Sequence, residues 1–272
     1  MTVPNWLFGF AGGTTATLAT VAAWQAINPQ QKTLDANLYM QTSAEYRAIC
    51  LQTYNWAGER LKQKLAVIQN SEERPPVVVL DLDETVIDNA GFQSYLDSKA
   101  LPYSDSVWET WERDYPNEVR LIPGAKGFIQ EAERQGVLIC YISNRLEKHK
   151  ASTIVVLKNL GFNTDNIERR LLLKAESSDK TARRAQAASL GPVIMLVGDN
   201  LRDFSEAFVA PRGDFSKPEN RVAGINVRYA AVDRTPYKWG AEWIILPNPV
   251  YGEWQKPLGP DPRQALRPSG MK

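Results

Sequence analysis

A doubly wound α/β fold built on a parallel sheet is predicted by three features of this 272-residue sequence. First, short apolar runs recur without polar alternation, as in Val77-Val78-Val79-Leu80 and Val193-Ile194-Met195-Leu196-Val197. Such runs suit strands buried on both faces. Second, segments of helical periodicity lie between them, and strands alternating with helices give a parallel sheet covered on both sides. Third, each run delivers polar residues where it stops: Asp81 and Asp83 after the first, Asp199 and Asp203 after the second. In open α/β sheets, ligands bind just outside the carboxyl ends of the strands.

Composition narrows the class. Hydrophobic residues make up 43% and charged residues 23%, as in a soluble globular domain with a real core. Lys plus Arg number 32 against 31 Asp plus Glu. No global basic field draws the chain to a nucleic-acid polymer. Two cysteines, Cys50 and Cys140, are too few for a disulfide framework. One histidine, His149, excludes a phosphohistidine phosphatase that needs a second histidine as acid.

Taken in order, residues 1–31 form a leader with no charged side chain before Lys32. Trp6 to Ile27 is long enough to span a bilayer, although Gly9, Gly12, Gly13 and the threonines dilute it. Val21-Ala22-Ala23 offers small residues to a cleavage enzyme, and a basic n-region is missing. The leader is read as an export signal or membrane anchor, placing the protein in the periplasm or cell envelope. The first cysteine is Cys50, so a lipoprotein-type anchor is excluded.

Residues 32–74 form a helical arm, with one amphipathic helix over 41–68 whose apolar stripe is Ala44, Ala48, Leu51, Leu61, Leu65 and Ile68. Pro75 and Pro76 end it. The core comprises 75–90 and 120–254. Between its pieces, 91–119 carries Tyr95, Tyr103, Trp108, Trp111 and Tyr115 without a buried strand, and reads as an irregular cap over the first strand's end. Pro123 and Gly124 open a helix with Ala125, Phe128, Ile129 and Ala132 on one face. Strands follow at 137–142, 171–173, 193–197 and 243–246. Helices are expected from about Glu147 to Leu160, and from Ser178 or Asp179, with Lys180 in the first turn, to Gly191. Residues 255–272 form a proline-rich tail, expected to be loosely ordered.

Side chains alternate along a strand, so Asp81 and Asp83 point the same way and Leu82 the opposite way. Two adjacent carboxylates repel unless a cation or shared proton intervenes. Their economical reading is a metal site that also does chemistry. Ser143 with Asn144, Lys180, and Asp199 with Asp203 stand at three further positions along the same predicted edge.

These residues carry a resemblance. Asp81-Leu82-Asp83-Glu84-Thr85, then Ser143-Asn144-Arg145, then Lys180, then Gly198-Asp199-Asn200-Leu201-Arg202-Asp203 resemble the four signature motifs of the haloacid dehalogenase (HAD) superfamily. Two aspartates in the last motif, the Leu246-Pro247-Asn248 to Tyr251-Gly252 segment and the long N-terminal helix resemble the class C non-specific acid phosphatases and their 5'-nucleotidase relatives. Those bacterial enzymes are typified by an outer-membrane lipoprotein. The resemblance covers about Thr33 to Trp254 and departs at the leader.

The resemblance implies a HAD-like Rossmannoid sheet and a Mg²⁺-dependent phosphomonoesterase. Asp81 would attack phosphorus and form an aspartyl-phosphate, and Asp83 would protonate the leaving oxygen and later take a proton from water. Asp81, the backbone carbonyl of Asp83, Asp199 and Asp203 would hold the ion in an oxygen-only shell. Ser143, Asn144 and the backbone near Thr85 would bind phosphoryl oxygens, and Lys180 would neutralise their charge. Trp108 and Tyr251 would flank the organic part of a nucleoside monophosphate or similar small substrate. Arg145 and Glu84 read as well as a structural salt bridge as catalytic groups. Rival readings are phosphoryl transfer to an alcohol, a non-catalytic phosphate-binding or storage protein on the same fold, and a signalling receiver; the last needs neither the aromatic cap nor the Asp81–Asp83 pair.

Overall fold

A computed structural model describes residues 31–68 and 74–270. The predicted leader, apart from Gln31, lies outside the described residues. The strands in chain order are β1 (Val77–Leu80), β2 (Ile87–Asp88), β3 (Arg120–Leu121), β4 (Leu138–Leu146), β5 (Leu171–Lys174), β6 (Val193–Gly198) and β7 (Trp243–Ile245). Five of them form one parallel sheet in the order β5-β4-β1-β6-β7. The chain builds outward from β1 through β4 and β5, then crosses back to β6 and β7 on the other side. This reversal creates a crevice at the carboxyl ends of β1 and β6, the place where an open α/β sheet binds its ligand.

Continuous apolar strands are explained by the two faces they serve. Val78 and Leu80 enter the large core with Ile139, Tyr141, Leu171, Met195 and Val197. Val77 and Val79 join Cys140, Ile142, Leu172 and Ala187 on the opposite face. Burying each such aliphatic side chain contributes about 1.5–3 kcal/mol. Both cysteines are buried and unpaired.

The arm is two helices, not the single one expected over 41–68. α1 (Gln31–Thr42) and α2 (Ala44–Val67) are separated by Ser43, whose hydroxyl caps α2 by accepting from the Tyr46 amide at 3.1 Å. The buried stripe of α2 is Tyr46, Cys50, Tyr54, Ala57 and Leu61, whereas Ala44, Ala48 and Leu51 face solvent. Leu61 and Leu65 lie toward the core as expected, but tyrosines and a cysteine hold the inner face of the first half, where an apolar count placed the stripe on the wrong side. Tyr54 packs on Phe128 with ring centroids 5.6 Å apart and donates its hydroxyl to the Thr85 carbonyl at 2.6 Å. Phe128 lies on α5 (Ala125–Arg134), introduced by Gly124 at φ +92°; a Cβ there would press on Tyr54. The arm is thus braced against the loop that follows β1.

The cap is regular, contrary to the expectation. β2 and β3 pair as an antiparallel ribbon that closes an insertion holding α3 (Ala90–Ser98) and α4 (Asp105–Asp114). Its aromatic residues pack on one another, Phe92 meeting Trp108 edge-on at 5.1 Å and Trp111 stacking on Tyr115 at 5.8 Å, and Phe92 and Trp111 also join the large core.

After β4 come a 3₁₀ turn (Glu147–His149) and α6 (Lys150–Asn159). α7 (Thr181–Leu190) follows β5 and covers the second sheet face; α8 (Leu201–Phe204) follows β6. α9 (Pro218–Asp233) was not anticipated. Its buried residues are Arg221, Gly224 and Arg228, which give no apolar periodicity to read. The proline-rich tail is also better ordered than expected: Glu253–Leu258 and Pro262–Ala265 form 3₁₀ turns, and Arg221 donates to Gln264 at 2.6 Å.

Candidate active site

β1 runs parallel to β6 with Leu80 opposite Val197, and the Asp81 amide donates to the Val197 carbonyl at 2.9 Å. This register sets Asp81 beside the turn after β6, which holds Asp199 and leads into α8 with Asp203. Carboxylate oxygens of Asp81, Asp199 and Asp203 all lie within 4.8 Å of one another. Lys180, the N-cap residue of α7, reaches in from the other side. Its Nζ donates to Asp81 Oδ1 at 2.7 Å and to Asp203 Oδ1 at 2.6 Å.

Local sequence explains how the acids are held. Asp203 is the third residue of α8, and its Oδ2 accepts from the Asn200 amide at 2.9 Å in a capping box. Gly198 must lack a side chain, because a Cβ there would run into the Asp203 carboxylate. Asp199 Oδ2 accepts from Asn248 Nδ2 at 2.7 Å, and Oδ1 from the Thr85 hydroxyl at 3.3 Å.

Three buried carboxylates facing one ammonium are short of positive charge. Burial, reinforced by Asp203, Asp199 and Asp83 against the pull of Lys180, drives the Asp81 pKa well above the carboxylate range. Burial and then Asp203 push Asp199 up to about 7. For Lys180, burial works to lower the pKa, but Asp203 and Asp81 outweigh it and hold the ammonium above its ordinary value. The donors are all hard oxygens and the charge deficit is local, so this triad fits a divalent cation such as Mg²⁺.

Asp83 takes a different set of partners. Its Oδ1 accepts from Arg145 Nε at 2.9 Å and Asn89 Nδ2 at 2.8 Å, and its Oδ2 from the Ser143 hydroxyl at 3.1 Å. Arg145 therefore pairs with Asp83 rather than with Glu84. Glu84, at φ +54°, accepts from the Asn89 amide at 2.9 Å. Ser143 and Thr85 are fully buried, their hydroxyls turned to Asp83 and Asp199, whereas Asn144 is exposed to the cavity.

A cavity of about 1130 Å³ opens over this edge, lined by Asp81, Asp83, Asn144, Lys180, Asp199 and Asp203, with Trp108 and Tyr251 on its walls. Thus the site residues read from the sequence gather around this cavity: the aspartates, Asn144 and Lys180 at the sheet's carboxyl edge, Ser143 and Thr85 just beneath it, Trp108 on α4 of the cap and Tyr251 in the loop after β7. Missed were Asn89 and Arg183, which bind the motif residues from behind. Arg183 donates to the Ser143 carbonyl and to Asn144 Oδ1, the latter at 2.8 Å. It lies three residues after Lys180, on the same side of a helix start, and that spacing could have found it. Asn248 stood in a segment already singled out, but its bond to Asp199 had no sequence signal. Among the described residues, no helix is long and apolar enough to cross a membrane.

Residues 13–254 match the family described as HAD superfamily, subfamily IIIB (acid phosphatase). The fold is also similar to two solved structures of the class C acid phosphatase from Bacillus anthracis. One, with tungstate bound, is 30% identical with a TM-score of 0.73, covering 85% of this chain and 90% of that one. The other is 31% identical with a TM-score of 0.73, covering 84% and 89%.

Proposed function

The chain belongs to the HAD superfamily, subfamily IIIB, as a class C acid phosphatase, and from that premise we propose Mg²⁺-dependent hydrolysis of small organic phosphate monoesters through an aspartyl-phosphate on Asp81. The observation that carries the reading is the cluster of Asp81, Asp199 and Asp203 around Lys180 at the sheet's carboxyl edge.

Asp81, Asp199 and Asp203 would hold the cation, with the Asp83 carbonyl as a further oxygen donor. Bound there, Mg²⁺ screens the repulsion between carboxylates and an incoming phosphate. An oxygen of Asp81 attacks phosphorus, an acyl-phosphate bond forms, and the ester P–O bond breaks. The departing alkoxide takes a proton from the Asp83 carboxyl. Water then attacks the same phosphorus, Asp83 takes its proton, and the bond to Asp81 breaks to release phosphate. As held, Asp83 is an acceptor at both oxygens, the state suited to the second step. To act as acid in the first step, it must carry a proton and release one of its donors. Lys180 neutralises charge on the phosphoryl oxygens, and Asn144, clasped by Arg183, offers its amide to them.

Trp108 and Tyr251 supply aromatic walls for the organic part, and a stacked ring gains about 1–3 kcal/mol regardless of which base it is. That favours nucleoside monophosphates over aliphatic esters. The Bacillus anthracis relative binds tungstate, a tetrahedral oxyanion, and the same ion should compete with phosphate esters here. Residues 1–31 are proposed to direct export or membrane attachment. The deciding assay runs purified protein against nucleoside, sugar and aliphatic monophosphates with and without Mg²⁺, plus an added alcohol. Mg²⁺-dependent release of phosphate supports the reading; metal-independent hydrolysis would refute it. Phosphoryl transfer to the alcohol would point to the transferase alternative.

A further inference from the structure

We propose that Glu112 is a positioning residue for this reaction, fixing from the cap the plane of the Trp108 indole over the cavity. The proposal rests on the reading of Trp108 as a wall for the substrate's ring. Glu112 is fully buried on α4, one turn after Trp108. Its Oε1 accepts from Trp108 Nε1 at 2.6 Å, and its Oε2 accepts from the Leu146 amide at 3.2 Å, at the end of β4. Its backbone carbonyl accepts from the Ser152 hydroxyl on α6 at 2.7 Å. One side chain therefore ties the indole, the cap helix and the edge of the sheet together. Phe92 meets the indole edge-on at 5.1 Å, so ring and N–H are both held.

A carboxylate is suited to this place because it accepts twice and donates nothing. Both neighbours are N–H donors, so glutamine would have to aim its own amide hydrogens at one of them. The placement is costly: burial, helped by Asp83, raises the Glu112 pKa against the pull of Arg145 and of its two N–H donors, and no cation comes within salt-bridge distance of it among the described residues. A side chain serving only to fill the cap could be apolar and avoid that cost. The reach extends further, since the Arg145 guanidinium lies 5.6 Å from the Trp108 ring centroid while its Nε holds Asp83. Tilting the indole would disturb both the ring platform and the group that moves protons.

The test is a mutant cycle on the full chain, reading KM for adenosine monophosphate relative to KM for glycerol phosphate. Glu112→Gln should raise that ratio roughly 2- to 10-fold, the equivalent of one hydrogen bond. In a Trp108→Ala background the same change should leave the ratio where Trp108→Ala alone put it. An equal rise in both backgrounds would overturn the proposal, since Glu112 would then act independently of the indole. No rise in Glu112→Gln would overturn it too. If Glu112→Gln does not fold, Trp108→Phe keeps the acid and an aromatic ring but removes the N–H. It should raise the ratio by a similar factor, and a wild-type ratio there refutes the positioning role. If Trp108→Ala itself leaves the ratio unchanged, the platform reading fails first and the proposal falls with it; a high Trp108→Ala ratio with a normal Glu112→Gln ratio defeats the proposal alone.

Discussion

Replacing Lys180 with methionine should destabilise the protein in a way that depends on pH. Lys180 is 4% exposed, and its ammonium contacts two carboxylates, Asp81 at 2.7 Å and Asp203 at 2.6 Å. Methionine is of similar length but leaves these acids without their cation. Removing one partner of a buried ionic cluster costs about 3–5 kcal/mol, and for a chain of this size each kcal/mol shifts Tm by about 2–4 °C. A drop on the order of 6–20 °C is therefore expected in metal-free protein where the carboxylates are ionised. The sign follows from the direction of the shifts. Asp81 and Asp199 have folded pKa values raised above those of the unfolded chain, Asp199 to about 7. Their protonated forms favour the native state, and this contribution is lost as pH rises through the folded pKa. The difference in Tm between wild type and Lys180→Met should thus be widest above pH 7 and shrink on acidification, as the orphaned acids take up protons. Turnover should fall about 10²–10³-fold through loss of a fixed positive charge. Thermal melts across pH 5–8, run without metal, test the stability claim. A Tm drop independent of pH, or no drop, would refute the reasoning.

Asn248→Ala removes the donor that orients Asp199 Oδ2. It should weaken Mg²⁺ activation roughly 10- to 100-fold while excess Mg²⁺ restores turnover, as read from a metal titration of activity. Gly198→Ala forces a methyl group against Asp203, which should cost about 1–3 kcal/mol in a melt and weaken Mg²⁺ activation with it. Normal Mg²⁺ activation in that variant would contradict the tight fit assigned to the turn. Tyr54→Phe strands the Thr85 carbonyl, so stability should fall by about 1–3 kcal/mol in denaturant unfolding although Tyr54 lies in the arm. Cell fractionation should find the full-length chain in the envelope or periplasm; recovery only from the cytoplasm would refute the role given to residues 1–31.

The candidate site's edge was legible in the sequence because parallel strands buried on both faces read as unbroken apolar runs, and the runs of β1 and β6 stopped at acidic residues that the fold brings together. Val77–Leu80 followed by Asp81 is the clearest case. What was not legible has a common cause. On α2, Tyr46 and Tyr54 occupy the buried face, and on α9 Arg221 and Arg228 do. Their long side chains bury apolar stems, and the polar ends of Tyr54, Arg221 and Arg228 find partners, so hydropathy misreads the inward side. The cap helices hid behind aromatic residues that pack on one another as well as joining the large core. The network behind the site, with Asn89, Arg183 and Asn248 each bonded to a motif residue, depends on contacts up to 56 positions apart in the chain. No local pattern announces such contacts.

The central claim is that phosphate leaves in two displacements with Asp81 as carrier. Stereochemistry at phosphorus tests it most directly, using a phosphorothioate monoester made chiral with two oxygen isotopes and cleaved in water carrying the third. Each in-line displacement inverts the centre, so the account predicts net retention in the released or transferred phosphoryl group. Net inversion would mean a single direct attack by water and would contradict the role given to Asp81.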